Sequence, residues 1–494
     1  MLRKIRLTLA IVFFTLITLL FLDFTGTLHA WFGWMAKIQF LPALLALNVG
    51  VILALVILTL LLGRVYCSVI CPLGVFQDIV AWFSKKSKKN RYRYSPALSW
   101  LRYSVLGVFV IALVAGVHSF VALLAPYSSY GRIVNNLFAP IYQWGNNLLA
   151  YLAERAESYA LYDTTIWLKS LPTFVIAAVT LVVLVVLAWR GGRTYCNTIC
   201  PVGTVLGFLS KYAYLKPVID TDKCINCNLC ARNCKASCID IKNHRIDYSR
   251  CVACMDCIDK CKHQALRYVH PAKSQAEPVG QKAEGGNSRR AFLASTALAA
   301  SAAVLKAQEM KVDGGLATIE DKKIPNRQTP ILPPGTQSAR HFAQHCTACQ
   351  LCVSVCPNEV LRPSTSLMTL MQPFSSYERG YCRPECTKCS EVCPTGAIKP
   401  ITVADKSSIQ IGHAVWIKHN CVVKTDEVEC GNCARHCPTG AISMVPSDPD
   451  NPDSLKFPAI DTERCIGCGA CENLCPARPF SAIYVEGHEQ HRII

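Results

Sequence analysis

The chain has 494 residues, 51% of them hydrophobic, and a formal net charge of +18. Its apolar residues are concentrated in roughly the first 190 positions, which excludes a wholly soluble protein and indicates membrane segments joined to soluble parts. A formal charge of this size treats every cysteine as neutral, so its meaning depends on what the 29 cysteines bind.

Four apolar stretches, in which Asp23 is the only Asp, Glu, Lys or Arg, are long enough to cross about 30 Å of hydrocarbon, and we expect each to form a transmembrane helix. They are residues 7–24, 41–62, 104–124 and 171–189. Basic residues are dense before the first stretch and in the "KKSKK" loop after the second. The positive-inside rule therefore places the N-terminus and that loop in the cytoplasm.

A twelve-residue sequence occurs twice, as GRVYCSVICPLG from Gly63 and as GRTYCNTICPVG from Gly192, with eight identical positions. Each copy follows an apolar stretch, so we predict a duplicated helix pair. Cysteines four residues apart share one face of a helix, which the following proline ends or kinks. The two C-x3-C-P pairs form a candidate thiol relay at the cytoplasmic membrane surface: Cys67, Cys71, Cys196 and Cys200. Metal binding, a redox-active thiol pair and close helix packing all remain open for them.

Two blocks of C-x2-C-x2-C-x3-C follow the last apolar stretch. This is the bacterial ferredoxin spacing, in which three thiolates bind one [4Fe–4S] cluster and the fourth reaches the neighbouring cluster. The predicted ligand sets are Cys224, Cys227, Cys230 and Cys261 for one cluster, and Cys251, Cys254, Cys257 and Cys234 for the other. Zinc does not need this doubled spacing.

Four further blocks, each followed by proline, occur near the end of the chain. They are Cys346, Cys349, Cys352, Cys356; Cys382, Cys386, Cys389, Cys393; Cys421, Cys430, Cys433, Cys437; and Cys465, Cys468, Cys471, Cys475. The sequence thus predicts six [4Fe–4S] clusters on 24 cysteines, with Cys238 left as a small packing residue. Each cluster carries about two negative charges, so the loaded chain falls to about +6 and nothing suggests nucleic-acid binding.

A polar linker at residues 271–287 precedes a segment, 288–309, that fits a twin-arginine export signal. The matching residues are Ser288, Arg289, Arg290, Phe292 and Leu293. An ordinary linker helix is the alternative. The signal would make the twin-arginine export machinery a partner and would place the chain after about residue 310 in the periplasm.

These motifs carry a family resemblance. Residues 1–270 resemble the NapH/MauN membrane ferredoxins and residues 288–494 resemble the NapG/MauM periplasmic ferredoxins, so the chain resembles a fusion of the two. The resemblance implies a multi-pass quinol dehydrogenase of the bacterial inner membrane. Such a protein takes electrons from the membrane quinone pool and passes them to a periplasmic acceptor, such as a c-type cytochrome or reductase of a nitrate reductase system.

Other readings stay open. Membrane ferredoxins with the same cysteine pairs also resemble accessory proteins that donate electrons for periplasmic metalloenzyme maturation or copper reduction. A third interpretation is a cluster-bearing anchor that docks partner proteins without catalytic turnover. The sequence contains no C-x-x-C-H, so it attaches no c-type haem by that motif. His118 lies near the outer end of the third apolar stretch, but no quinol-binding constellation is evident.

For the architecture we expect an α-helical membrane domain and α+β bacterial-ferredoxin-like modules. The boundaries are a four-span domain at 1–215, a cytoplasmic two-cluster module at 216–270, a linker at 271–287, the signal-like segment at 288–309, a second linker at 310–340 and a periplasmic four-cluster domain at 341–494. By resemblance to other four-cluster electron-transfer subunits, the first of the four C-terminal blocks should exchange a ligand with the fourth, and the second with the third. Sequential pairing is the alternative.

Overall fold

The computed structural model describes residues 2–23, 26–86, 92–158, 160–270, 312–313, 317–318 and 320–494. The N-terminal part is helical, because a helix satisfies the backbone polar groups of an apolar segment internally. A π-helical turn, Val134–Phe138, interrupts the series. The helices are α1 (Leu2–Leu22), α2 (Thr27–Phe32), α3 (Trp34–Lys37), α4 (Phe40–Leu45), α5 (Val49–Leu62), α6 (Val65–Val69), α7 (Pro72–Lys86), α8 (Ser99–Val114), α9 (His118–Leu124), α10 (Pro126–Ile133), α11 (Ala139–Arg155), α12 (Leu171–Gly191), α13 (Thr194–Thr198) and α14 (Pro201–Ser210).

Within the described ranges, two helices are long and apolar enough to cross a membrane, α1 and α12. Each has 21 residues, a length of about 32 Å. The apolar helices α5 and α8 have only 14 and 16 residues. The sequence predicted four full-length spans, and the structure provides two helices of that length.

The second and third predicted spans are interrupted at identifiable residues. Before α5 the chain turns at Leu47, whose φ is 52°, and the Asn48 side chain then caps α5 by accepting a hydrogen bond from the Val51 N–H at 3.3 Å. Beyond α8 the chain turns at Gly116, whose φ of 78° suits glycine. Both apolar stretches are therefore divided into two helices, and four membrane crossings remain a prediction.

Each twelve-residue repeat forms a short helix followed by a longer one, α6 with α7 and α13 with α14. Gly63 and Gly192 precede the short helices with φ angles of 64° and 65°, a conformation that other residues rarely adopt. Pro72 and Pro201 begin the longer helices, where a missing N–H leaves no hydrogen bond unmade. The two copies of the sequence therefore fold in the same way.

The two-block module, residues 216–270, consists of two antiparallel strand pairs and two short helices. Strand β1 pairs with β4, with Ile219 opposite Leu266, and β2 pairs with β3, with Ile239 opposite Ile246. The elements are β1 (Lys216–Ile219), α15 (Leu229–Asn233), β2 (Ile239–Asp240), β3 (Arg245–Ile246), α16 (Asp256–Lys260) and β4 (Leu266–Val269). This is the α+β pattern expected of a small ferredoxin module.

The C-terminal part contains the four-block region, residues 341–494, which is built from short helices and antiparallel strand pairs. A 3-10 turn lies at Lys418–Asn420. One strand pair and the start of α17 lie before residue 341. The elements are β5 (Val312–Asp313), β6 (Ala317–Thr318), α17 (Ala339–His345), α18 (Leu351–Ser354), β7 (Leu361–Pro363), β8 (Pro373–Ser375), α19 (Lys388–Val392), α20 (Val403–Ser408), β9 (Ile409–Trp416), α21 (Val422–Thr425), α22 (Asn432–Arg435), β10 (Ile442–Pro446), β11 (Lys456–Ile460), α23 (Ala470–Asn473) and β12 (Ile483–Ile493). The pairs are β5 with β6, β7 with β8, β10 with β11, and β9 with β12.

One end of the helical region contacts the two-block module. Arg3, at the start of α1, forms an ion pair with Asp256 at 2.9 Å. The Tyr268 hydroxyl donates to the carbonyl of Leu62, at the end of α5, at 2.7 Å. The backbone that follows α12 also bonds to the module. We call this end the two-block end.

The other end of the same helices contacts the four-block region. Ser119, which follows α8, donates from its hydroxyl to the carbonyl of Leu367 at 2.9 Å. Lys169, which precedes α12, reaches the carbonyl of Val353 at 3.5 Å. Because the contacts lie beyond α8 and before α12, the four-block region and the two-block module lie at opposite ends of the helices.

Candidate iron–sulfur centres

The cysteines of the two-block module line two separate cavities. One cavity is lined by Cys224, Cys227, Cys230 and Cys261. The other is lined by Cys234, Cys238, Cys251, Cys254 and Cys257. Each cavity takes three thiols of one block and the last thiol of the other, and apart from Cys238 these are the ligand sets that the sequence assigns to two clusters.

Cys238 lies against two predicted ligands in the second cavity. Its side chain is 1% exposed, and its Sγ lies 3.5 Å from the Sγ of Cys234. It also hydrogen-bonds with Cys251. A thiol between two predicted ligands can donate a hydrogen bond to one of their sulfurs, which is one way a protein tunes a cluster's reduction potential.

The thiols of the four-block region gather in four groups. Two of the groups line cavities: Cys356 with Cys382, Cys386 and Cys389, and Cys437 with Cys465, Cys468 and Cys471. The other two groups are close enough for electrostatic interaction: Cys346, Cys349 and Cys352 with Cys393, and Cys421, Cys430 and Cys433 with Cys475. In each group, three thiols come from one block and one from its neighbour in sequence.

This arrangement corrects the expected exchange of the first block with the fourth and of the second with the third. The structure instead pairs the first block with the second and the third with the fourth. The reason is local, because a short antiparallel hairpin joins the blocks of each pair. Strands β7 and β8 lie between the first two blocks, β10 and β11 between the last two, and β2 and β3 between the blocks of the two-block module. Each hairpin returns the chain to the cavity it left.

The loops that carry the thiols have a recurrent backbone conformation. In four of the six blocks, the residues on both sides of the second cysteine have positive φ angles: Asn226 and Asn228, Ala253 and Met255, Ala348 and Gln350, and Gly467 and Gly469. Left-handed residues that alternate with residues of other conformations turn backbone N–H groups toward one point and form a nest, which suits an anionic group. The blocks that begin at Cys382 and Cys421 have longer first gaps, and these positions in them do not share the pattern.

Backbone N–H groups do reach the sulfurs. The N–H of Ile398 donates to Cys393 at 3.4 Å, and that of Ala482 donates to Cys475 at 3.3 Å. Across residues 2–494, wherever the structure describes the chain, no three His, Cys, Asp or Glu side chains are placed to hold a single metal ion. Groups of four thiols, with N–H donors at some of their sulfurs, fit a cluster in which each thiolate binds a different iron.

The two C-x3-C-P pairs lie together in one core. All four thiols, Cys67, Cys71, Cys196 and Cys200, are buried in a single hydrophobic core, and Cys200 is close enough to the other three for electrostatic interaction. From the sequence, we predict that the two thiols of each pair lie side by side at the membrane boundary. The structure brings both pairs together in the core of the N-terminal helices, and their depth in a membrane stays a prediction.

The surroundings of these thiols include charged residues that the sequence reasoning missed. Asp78 on α7 accepts from Arg6 and from Arg193, both at 2.7 Å, and lies 3.2 Å from Lys235. Burial alone would raise the pKa of this carboxyl, but Arg193, Lys235 and Arg6 hold it well below its usual range. The available signal was the arginine that occupies the second position of both twelve-residue repeats.

Comparisons with known proteins agree with this chemistry. The family described as "4Fe-4S binding domain" matches residues 44–90 and 172–217, which contain the two cysteine pairs, and the family "4Fe-4S dicluster domain" matches residues 428–478. The methylamine utilization ferredoxin-type protein MauM of Methylobacillus flagellatus is 31% identical over 165 residues, which cover 33% of this chain and 70% of the relative. The chain belongs to the MauM family of ferredoxin-type proteins.

Two other relatives of this MauM-family protein are ferredoxin-type as well. NapF of Escherichia coli is 28% identical over 180 residues, 36% of this chain and all of the relative. NapG of Haemophilus influenzae is 27% identical over 179 residues, 33% of this chain and 63% of the relative. No solved structure matches the MauM-family chain. Together with the cysteine cavities, these relatives make it an iron–sulfur electron-transfer protein.

The linker and the signal-like segment with Arg289 and Arg290 lie outside the described residues, and the export signal stays a prediction. His118 lies at the break between α8 and α9, where it is 3% exposed, and its Nδ1 has no hydrogen-bond partner within the described part of the chain.

Proposed function

We propose that this protein is a multi-pass inner-membrane electron carrier that takes electrons from quinol and passes them to a periplasmic acceptor such as a c-type cytochrome. The membrane half would correspond to the NapH/MauN type and the C-terminal half to the NapG/MauM type. The proposal includes four membrane crossings, formed by α1, α5, α8 and α12, and six [4Fe–4S] clusters on the 24 block cysteines.

One observation carries the proposal: cysteine cavities lie at both ends of the same apolar helices. The two-block module contacts the start of α1 and the end of α5, and the four-block region contacts the chain beyond α8 and before α12. A protein that served one compartment would have no need to place thiol groups at both ends. Two sets of redox sites at opposite ends suit a carrier that connects the two faces of a membrane.

Charge distribution supports the orientation. Arg3 lies at the two-block end, and Lys85, the first residue of the "KKSKK" sequence, donates a hydrogen bond to Asn233 of the two-block module. The positive-inside rule favours the cytoplasm for this end. The four-block end would then face the periplasm, which agrees with the export signal predicted at residues 288–309.

The chemistry needs two kinds of group. Quinol oxidation releases two electrons and two protons, and bound iron–sulfur clusters exchange the electrons one at a time. The contribution of the protein is to hold the thiols in fixed groups and to direct N–H donors at the sulfurs. An acceptor outside this chain must perform the terminal reduction, because the sequence has no C-x-x-C-H for a c-type haem.

The test is anaerobic mixing of the purified, iron-loaded protein with a soluble quinol and then with cytochrome c. We expect quinol-dependent cytochrome reduction with two cytochromes reduced for each quinol. Reduction of Cu(II) but not of cytochrome would instead support the accessory role in metalloenzyme maturation. Protein that holds its clusters but takes no electrons from quinol would overturn the proposal.

A further inference from the structure

The two twelve-residue repeats interlock around their cysteines. Arg64 of the first repeat donates to the Sγ of its own Cys67 at 3.8 Å and to the carbonyl of Cys196 in the second repeat at 3.2 Å. Arg193 of the second repeat donates to the Sγ of its own Cys196 at 3.9 Å and to the carbonyl of Cys67 at 2.7 Å. The contacts are reciprocal, so the two halves form a single pseudo-symmetric site.

Each repeat ends in a glycine that leaves space for one of these arginines. A Cβ at Gly74 would lie 2.6 Å from Arg193 Nη1, and a Cβ at Gly203 would lie 2.9 Å from Arg64 Nη2. A Cβ would also lie 2.2 Å from the Cys67 carbonyl oxygen at Gly74 and 2.3 Å from the Cys196 carbonyl oxygen at Gly203, so each glycine leaves space both for its own repeat and for the arginine of the opposite repeat. The repeated motif G-R-x-Y-C-x-x-I-C-P-x-G thus specifies a paired structure in which neither copy is complete without the other.

The site has an excess of buried positive charge. Arg64 and Arg193 are both fully buried. Arg193 shares Asp78 with Arg6 and Lys235, whereas no carboxylate in the described ranges pairs with Arg64. A buried cation without a compensating charge is strongly unfavourable. Four thiolates around a cluster would supply the missing negative charge beside both arginines.

Polar atoms at the site also lack partners. Arg64 Nε, Arg193 Nη2 and Gln77 Oε1 are buried, and none of them has a hydrogen-bond partner among the residues described. The Gln77 amide already donates to Cys196 Sγ at 3.3 Å, and the Gly203 N–H donates to Cys200 Sγ at 3.3 Å. Donors converge on the sulfurs from several elements, as they do in the cluster cavities.

The location of the four thiols is informative. They share a hydrophobic core with Cys254 of the two-block module and with Cys346, Cys349 and Cys352 of the four-block region. Arg132 lies close enough to both Tyr195 of the second repeat and Cys349 for electrostatic interaction. The four thiols therefore lie in the same core as thiols that are predicted to bind clusters at both ends.

We propose that Cys67, Cys71, Cys196 and Cys200 together bind a seventh iron–sulfur cluster, a four-thiolate [4Fe–4S] centre shared by the two repeats. Its role as the relay between the two ends rests on the proposed function, whereas the binding of the cluster does not. As a relay it would be reduced by one electron from one end and reoxidised by a cluster at the other, with no proton or bond change.

Iron and acid-labile sulfide counts on the anaerobically purified full chain test the binding site. We expect Cys67→Ser and Cys196→Ser each to lose about four irons and four sulfides, roughly a seventh of the total. The matched control is Ser68→Ala, which removes only the hydrogen bond from Ser68 Oγ to the Val65 carbonyl at 3.1 Å. A loss of about two irons would overturn the [4Fe–4S] assignment, and full iron in both cysteine variants would overturn the site.

A second measurement covers cysteine variants that fail to fold. In the wild-type chain, the iron count should exceed the number that 24 block cysteines can bind, and mass spectrometry should find no disulfide among the four thiols. Iron equal to six clusters, or two disulfides, would overturn the proposal. In Arg64→Gln, the loss of a positive charge should shift one cluster's reduction potential to a more negative value, and Arg64→Lys should restore it. Cluster loss is counted without quinol, so failure of the proposed function would leave these results intact.

Discussion

Replacing Asp78 with asparagine tests the electrostatic account of the helical region most sharply. The carboxylate faces three cations, with Arg6 and Arg193 at 2.7 Å and Lys235 at 3.2 Å. Removal of one partner from a buried ion pair leaves uncompensated charge and costs about 3–5 kcal/mol. We expect Asp78→Asn to lower the free energy of unfolding by that amount, measured by circular dichroism during detergent-mediated unfolding.

The matched control is Asp461→Asn, which breaks an exposed ion pair with Arg464 at 3.5 Å, with side chains 50% and 71% exposed. Such a pair contributes less than about 1 kcal/mol. The pH dependence has a definite sign, because the folded pKa of Asp78 is depressed. Its stabilisation should be complete above the unfolded value of about 3.9 and should decline as the pH falls below it. An Asp78→Asn protein as stable as the Asp461→Asn protein would refute the reasoning.

Three other variants probe single contacts. Gly74→Ala places a Cβ 2.2 Å from the Cys67 carbonyl oxygen. The midpoint of its thermal unfolding should therefore lie well below that of the control Gly145→Ala, whose Cβ has no neighbour within 4 Å. Equal midpoints would contradict the close packing at Gly74. Cys238→Ala should keep full iron and shift one cluster potential to a more negative value in an EPR-monitored titration, and a loss of iron would make Cys238 a ligand. Gly469→Ala places a Cβ 2.2 Å from the Tyr377 ring and should cost about four irons, whereas unchanged iron would show that this loop does not shape a cluster site.

Much of the site was accessible from the cysteine spacing. In the two-block module, the doubled spacing from Cys224 to Cys261 predicts that each block gives its last cysteine to the cluster of the other block. The hairpin between the blocks brings these cysteines together. The same exchange between neighbouring blocks occurs in the four-block region. The resemblance to other four-cluster subunits instead predicts that the first block exchanges a ligand with the fourth and the second with the third. A hairpin of three-residue strands, β7 with β8, leaves little pattern in the sequence, so its effect on Cys356 and Cys393 was not foreseen.

Tertiary contacts account for the rest. The crossing of Arg64 and Arg193 between repeats depends on two segments about 130 residues apart in sequence, and periodicity carries no information about such pairs. The sequence shows that the arginine and the last glycine occur in both repeats. Only the structure shows that each arginine lies in the space beside the glycine of the other repeat. The breaks at Asn48 and Gly116 were also weak signals, because single turn residues inside apolar stretches do not lower the average hydropathy enough to divide a predicted span.

The claim that redox sites lie at both faces of a membrane is tested most directly by the position of the two chain ends. An epitope tag before Arg3 and another after Ile494 can be probed with protease in intact spheroplasts and in inverted vesicles. The account predicts that the C-terminal tag is cleaved only in spheroplasts and the N-terminal tag only in inverted vesicles. Cleavage of both tags in the same preparation alone would contradict it.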